Sequence, residues 1–548
     1  FFGKKPLQRI KVSLMGPLVN LVFAFLVFLA IWGLGGRDKP FNEFTKKIGY
    51  IDHKSELYDL KVRPGDEIVK YNNKKYTGFR DILYSSVTSS KQIEIEGYKI
   101  NYLQNKKAPF DYTLNTYPLN KDFSTIGIKQ PAGYLIYDKE LTSQGSPVIK
   151  NSGIESGDRL LWANGELLFS DSQLSEILNS NRAFLTVQRD DQVFHTNINL
   201  VKIADLKLSS YFKNELDDYR YFSNIKTNLN DLNIIPYHFD EDGEIIKSLN
   251  FIDESKALSF LNSRNAYSVA LKKGDKILTI GGDKITNGSN ILTNFQNPKI
   301  LLIAQRDPKI LTKISYKEID KDFDKNLDIK SLNQIVKYIG TNKQILSSNN
   351  LHLLKPIEPM SYKTLAKIDE SFAKNLLLFQ QNVEAIKDPV KKAEALTQFD
   401  YETNKKILGI SLERKIIKYN PNPVQMFSDG FTETIRTFVG LITGLVSPKH
   451  LAGPIGIVHV VKISWSQGPL EALYWLGFIS LNLGFLNLLP VPVLDGGHIV
   501  FSIVEMITKK PIKAKTMERL TIPFVVLLIG GIIFVTFHDI LRIVNNFF

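Results

Sequence analysis

Val12 to Gly36 reads VSLMGPLVNLVFAFLVFLAIWGLGG, 25 residues without a charge, closed by Lys11 and Arg37. At about 1.5 Å per helical residue the run crosses the roughly 30 Å hydrocarbon core of a bilayer with some tilt. A secretion signal would carry only about 7–15 apolar residues before a small-residue cleavage site. The run therefore predicts a membrane-spanning helix. Two more uncharged runs follow, Ala472–Leu494 with 23 residues and Leu520–Phe537 with 18. Average composition hides them: 43% of the 548 residues are hydrophobic and 23% charged, as in an ordinary soluble chain, because the apolar residues are concentrated in runs.

Charge then sets the orientation. Residues 1–11 carry Lys4, Lys5, Arg9 and Lys11 and no acid, and the loop after the second run carries Lys509, Lys510, Lys513, Lys515 and Arg519 against Glu518. Short loops rich in Lys and Arg stay in the cytoplasm. Both loops lie on that side if the long stretch 37–470 is exported. Its own basic bias carries no weight, because long domains translocate regardless of charge. Length alone suggests three or four domains. The absence of cysteine excludes disulfide scaffolds, thiolate metal sites and a cysteine nucleophile.

The exported stretch contains an internal repeat. Gly65-Asp66-Glu67-Ile68-Val69-Lys70-Tyr71-Asn72-Asn73 matches Gly157-Asp158 through Asn164-Gly165, and both match Gly274-Asp275 through Gly281-Gly282. Each copy opens with a Gly-Asp turn and a short apolar strand, and ends in a pair suited to the positive φ of a tight hairpin. A helical stretch follows each: Phe79–Val87, Ser172–Leu178 and Ser289–Phe295. Ser170 and Gln173 have capping-box spacing. The pattern, clearest at 152–168, resembles bacterial PDZ domains, which bind extended peptide termini as an added strand. The alternative is three unrelated hairpins. The copies lie 92 and 117 residues apart, spacings long enough to imply insertions, with Asp205–Asn233 the most evident. Further on, Leu365, Ile368, Phe372, Leu376, Phe379, Val383 and Ile386 form one amphipathic face up to Pro389. Phe427, Phe431, Ile435, Phe438, Ile442 and Leu445 form a second, on either an interfacial helix or one that packs against a domain.

The second apolar run ends in Asn487-Leu-Leu-Pro490-Val-Pro492-Val-Leu494-Asp495-Gly496-Gly497-His498. Two prolines two residues apart break a helix, and broken backbone at membrane depth survives only when it is buried in protein or lines a wet cavity. A carboxylate there marks a functional site. Against a plain surface turn, Ile499–Ile507 continues apolar apart from Glu505.

With its flanks, this motif resembles the second zinc motif of the site-2 proteases, the intramembrane zinc metalloproteases. Leu451–Ile457, Asn482–Asn487 and the Phe1–Arg9 and Gly16–Asn20 stretches are similar to the bacterial RseP branch. The resemblance covers about residues 1–40 and 445–548 closely and the PDZ-like stretch loosely. It implies Zn2+ held by Asp495 and by two histidines of a His-Glu-x-x-His helix, whose glutamate is the general base. None of the eight histidines precedes a glutamate, so no catalytic residue is expected in this chain, and that helix is expected upstream of Phe1. His498 reads as a helix-start residue near the site. Asn487, Pro490, Pro492, Leu494 and Gly496 are expected to contact substrate.

The resulting expectation is a polytopic α-helical membrane protein with extracytoplasmic PDZ-like domains, mainly β with α+β character. Residues 1–11 form a cytoplasmic flank and 12–36 a transmembrane helix. PDZ-like domains occupy 44–120, 130–206 and 234–310, and a helical insertion occupies 311–420. An amphipathic membrane-proximal helix spans 423–447, and 470–507 is a transmembrane segment with the zinc-ligand motif. A cytoplasmic loop at 508–519 and a transmembrane helix at 520–540 complete the chain. The expected activity is cleavage of a membrane protein with one transmembrane segment, such as an anti-sigma factor or signal-peptide remnant, in the bacterial cytoplasmic membrane. Peptide termini at the PDZ grooves and the lipid bilayer are the other partners, and nucleic acid is not one. The alternative is a catalytically inactive PDZ adaptor binding exported termini.

Overall fold

The computed structural model describes residues 5–87, 91–119, 123–139, 152–262, 268–444 and 446–547. The first apolar run forms helix α1 (Pro6–Gly33), with a proline in its first turn where no amide is needed. It starts before the expected span of 12–36 and stops short of its end. Gly35 and Gly36, at φ +92° and +81°, close the helix instead. Their amides donate to the Trp32 and Ile31 carbonyls at 3.1 and 2.9 Å, a Schellman turn that needs glycine's left-handed freedom. The helices used below follow in order: α2 (Phe79–Val87), α3 (Asp171–Asn179), α4 (Gly288–Gln296), α5 (Glu370–Glu384), α6 (Pro389–Asn404), α7 (Pro423–Ile442), α8 (Pro454–Gln467), α9 (Pro469–Asn487), α10 (Asp495–Thr508) and α11 (Ala514–Phe547).

Among the described residues three helices are long and apolar enough to cross a membrane: α1, α9, and Lys515–Arg542 within α11. The 470–507 segment is two helices in succession, and both lie against α1. A Cβ on Gly477 would meet Val27 Cγ1 at 2.8 Å, and one on Gly484 would meet Leu21 and the Pro17 carbonyl at 3.0 Å. Only glycine permits this approach. Further along, Gly16 faces Asp495 and Arg9 pairs with Glu505 at 2.6 Å, so α9 and then α10 run antiparallel to α1. The second amphipathic stripe forms α7, which packs on these helices. Phe427 meets Phe25, and Phe431 and Phe438 meet Phe485, while Ile435 and Ile442 face outward and Leu445 lies outside the described residues. α8 was not anticipated. The Asp539 carboxylate of α11 accepts from the Gly456 amide at 2.7 Å in its first turn. Cβ atoms on Gly453 and Gly456 would come within 2.8 and 2.6 Å of that carboxylate.

In each repeat the hairpin pair has positive φ: Asn72 and Asn73, Asn164 and Gly165, Gly281 and Gly282. The helices α2, α3 and α4 stand where the spacing put them. Ser170 caps α3 by accepting from the Gln173 amide, while the Gln173 side chain accepts from Phe169 rather than from the cap itself.

The domain boundaries need correction. The first repeat extends past 120, because Ile48–Ile51 pairs antiparallel with Ile128–Pro131. The second and third repeats exchange strands. After its helix, the first repeat returns a strand, Gln92–Asn101, to its own hairpin strand Glu67–Tyr71. The equivalent strand after α3, Arg182–Arg189, pairs instead with Lys276–Ile280 of the third repeat. The strand after α4, Leu302–Gln305, pairs with Arg159–Ala163 of the second. The third repeat is thus nested inside the second, and neither 130–206 nor 234–310 is a closed unit. Residues 311–420 carry helices, as expected, but are not an insertion apart from the sheets: Leu351–Leu353 and Leu412–Glu413 join the second repeat's sheet, and Ile416–Tyr419 pairs with Arg37–Pro40. The packing follows these pairings. Ala183, Leu185 and Val187 share one core with Ile277, Ile280 and Phe295, while Leu160, Leu174 and Leu178 share another with Ile300, Leu302 and Leu354. Phe212, Leu216 and Tyr219, from the expected 205–233 insertion, fill the first of these cores. The first amphipathic stripe is only partly buried. Pro389 opens α6, Phe379 meets Phe399 across the α5–α6 pair, and Ile368 stays 53% exposed.

Candidate active site

α9 ends at Asn487 because Pro490 and Pro492 cannot supply the amides a further turn requires. The chain makes a tight turn in which the Val491 amide donates to Leu489 and the Leu494 amide to Val491, at 2.7 and 2.9 Å. α10 then starts at Asp495. The turn folds back onto this helix start so closely that a Cβ on Gly496 would lie 2.3 Å from the Leu489 carbonyl oxygen. One on Gly497 would lie 2.2 Å from that of Val491. Gly496 therefore shapes the turn, and Gly497, which sequence reasoning did not single out, does the same.

The result is that Asp495 points at α1. Its Oδ2 lies 3.1 Å from where a Cβ on Gly16 would stand. Gly16 leaves the carboxylate room, a role that nothing in its local sequence announces. Counting along α1 at about 1.5 Å per residue, Gly16 is about 10 Å from Arg9 and about 25 Å from the helix end. Asp495 therefore lies between two ion pairs, Arg9–Glu505 at 2.6 Å and Arg37–Glu471 at 2.8 Å. Both pairs are buried, and each joins residues more than 400 positions apart.

Among the described residues no donor or cation is recorded against the Asp495 carboxylate, and no group of three His, Cys, Asp or Glu gathers to hold a metal. A carboxylate set among helices of this apolar character is costly unless a cation meets it. Oxygen donors of this kind suit zinc as one ligand of several. His498 sits in the first turn of α10, with its ring 6.4 Å from that of Phe501. Asn487, Pro492 and Leu494 are half-buried and Pro490 is exposed, all on the one turn beside Asp495.

Apolar helices long enough to cross a membrane thus pack around a carboxylate, with a sheet-rich module joined to them. A sequence profile described as "Peptidase family M50" matches residues 1–530, and the chain belongs to that family of site-2 proteases, a metalloendopeptidase family. A Chlamydia pneumoniae protein named "Putative zinc metalloprotease" is 34% identical over 543 residues, covering 99% of this chain and 84% of that protein. A Chlamydia trachomatis protein of the same name is 31% identical over 547 residues, with the same coverage. A Campylobacter jejuni relative, also so named, is 37% identical over 115 residues, or 21% of this chain.

Proposed function

We propose that the chain forms the greater part of an intramembrane zinc metalloprotease that cleaves the membrane segment of a single-span protein. The observation that carries this reading is the Asp495 carboxylate, held against Gly16 between the two buried ion pairs. Asp495 would be one oxygen ligand, to be completed by the two histidines of a His-Glu-x-x-His helix whose glutamate would be the general base. Asp495 would thereby help to hold a zinc ion whose chemistry, when bound, would be to make water acidic near neutral pH and to act as a Lewis acid. Asn487 and the 488–494 turn would receive the unwound substrate backbone, since only irregular backbone offers free amides and carbonyls inside a membrane. The three repeats act as PDZ-like units on the extracytoplasmic side of a bacterial cytoplasmic membrane, screening which substrates reach the helices.

The test is cleavage of a single-span test protein by the intact gene product in liposomes. Wild-type protein should cut within the span, and Asp495→Asn should not. A reporter fused after Arg519 should be active in the cytoplasm and one near Asn290 silent. Absence of cleavage by the wild-type protein would instead favour the adaptor reading, and full activity of the Asp495→Asn protein would remove Asp495 from the catalytic site.

A further inference from the structure

At the end of α1 away from Arg9, one short strand bonds to two modules at once. Glu471, in the first turn of α9, has a side chain only 3% exposed. Its Oε2 accepts from Arg37 Nη1 at 2.8 Å. Its Oε1 accepts from Lys39 Nζ at 2.7 Å and from Trp475 Nε1 at 3.2 Å. The Arg37 guanidinium also lies 3.4 Å from the centre of the Tyr474 ring. Arg37 and Lys39 belong to the strand Arg37–Pro40, which pairs with Ile416–Tyr419 of the sheet-rich module. Side chains alternate along a strand. Asp38, between the two cations, turns the other way and takes Lys313 and Lys418 at 2.6 and 2.8 Å. Tyr419, opposite Arg37, stacks on Phe44 at 4.5 Å and meets Tyr316 at 4.9 Å. The strand's odd positions therefore hold the membrane helix and its even position holds the soluble module.

What happens at Glu471 is carried down α9. The α1–α9 seam is set by Gly477 and Gly484, and by the Ser480 hydroxyl donating to the Asn20 carbonyl at 3.0 Å. Interfaces this close do not deform continuously. Asn487 lies sixteen residues beyond Glu471, about 24 Å along the helix.

We propose that Glu471 is a positioning residue, an ionic latch through which the soluble module sets the pose of α9 and of the turn carrying Asp495; this rests on the proteolytic reading above. A load on the soluble module reaches the site through Arg37 and Lys39, and an unlatched α9 holds Asn487 and Asp495 out of register with the substrate backbone.

Residues 1–548 contain no cysteine; with any cysteine elsewhere in the intact protein replaced by serine, spin labels are placed at Leu476→Cys on α9 and Lys343→Cys on the soluble module, in nanodiscs. With Glu471 present the inter-label distance distribution should be narrow, and Glu471→Gln should broaden it at least twofold. In the unlabelled protein, Glu471→Gln should lower kcat on the single-span test protein about tenfold, with KM within twofold and zinc content unchanged. Glu471→Asp should fall between. Lys39→Met, which leaves the Arg37–Glu471 pair intact, should shift both readouts the same way by less, and it serves if Glu471→Gln fails to fold. An unchanged distribution overturns the latch, and a broadened one with unchanged kcat overturns its positioning role. If the unsubstituted protein cleaves nothing while the distribution still broadens, the proteolytic reading fails and the coupling between modules stands.

Discussion

Asp158 and Arg306 lie 148 residues apart, yet Arg306 Nε and Nη2 grip both carboxylate oxygens at 2.8 and 2.9 Å. Arg189 grips Asp275 of the third repeat in the same two-pronged way, at 2.7 and 2.8 Å. Were the repeats strung one after another, Arg189 would belong to Asp158, whose hairpin and helix precede it. Nesting swaps the partners. The Asp158 side chain is fully buried and that of Arg306 is 30% exposed. Breaking the pair should then cost more than the roughly 0–1 kcal/mol of a surface bridge and less than the 3–5 kcal/mol of a fully buried one. About 2–3 kcal/mol is expected for Arg306→Ala. In a double-mutant cycle on the urea unfolding of the soluble module within the intact chain, Asp158→Asn and Arg306→Ala should couple by about 1.5–3 kcal/mol. Asp158→Asn and Arg189→Ala should add within about 0.5 kcal/mol, as distant sites do. Coupling of Asp158 to Arg189 instead would refute the nested connectivity.

Three further outcomes follow from the same geometry. The isolated fragment 130–206 should not give a cooperative thermal transition, because its strand Arg182–Arg189 lacks Lys276–Ile280; a sharp transition would contradict the strand exchange. Gly16→Val should drive side-chain atoms into the Asp495 carboxylate and lower cleavage by at least tenfold, while circular dichroism of the sheet-rich module stays unchanged. Asp66, the first repeat's counterpart of Asp158, has no arginine clamp, and burial pushes its carboxyl up to about 6 despite amide hydrogen bonds from Ile100 and Arg63. Against about 3.9 in the unfolded chain, the folded state holds the extra proton between pH 4 and 6. The first repeat should therefore lose about 3 kcal/mol of stability as pH rises through that window and level off above it. Asp66→Asn should flatten the profile, which thermal unfolding across pH can check.

What the sequence made legible was local. The Gly-Asp turns, hairpins and helices of the repeats each depend on a dozen contiguous residues, and the break at Pro490 and Pro492 depends on two. The strand exchange was not legible, because hairpin and helix signals do not say which distant strand closes a sheet. A cue did exist: Gln188-Arg189-Asp190 and Gln305-Arg306-Asp307 repeat the same triplet at the ends of the two exchanged strands. In the site, Asp495 stood out as a charge in an apolar setting. Gly16, Gly477 and Gly484 did not, since each acts by leaving space for a partner hundreds of residues away. Glu505 and Glu471 read as lone acids until the fold supplied Arg9 and Arg37.

Asp495 is proposed as a zinc ligand among the membrane helices. Equilibrium zinc content of the intact, detergent-solubilised protein, titrated against a chelator, tests it most directly. The wild type should hold one zinc per chain. Asp495→Asn should lower the affinity more than about 100-fold, beyond what losing an outer-shell partner costs, with the sheet-rich module still folded. An Asp495→Asn protein that holds its zinc as tightly as the wild type would contradict it.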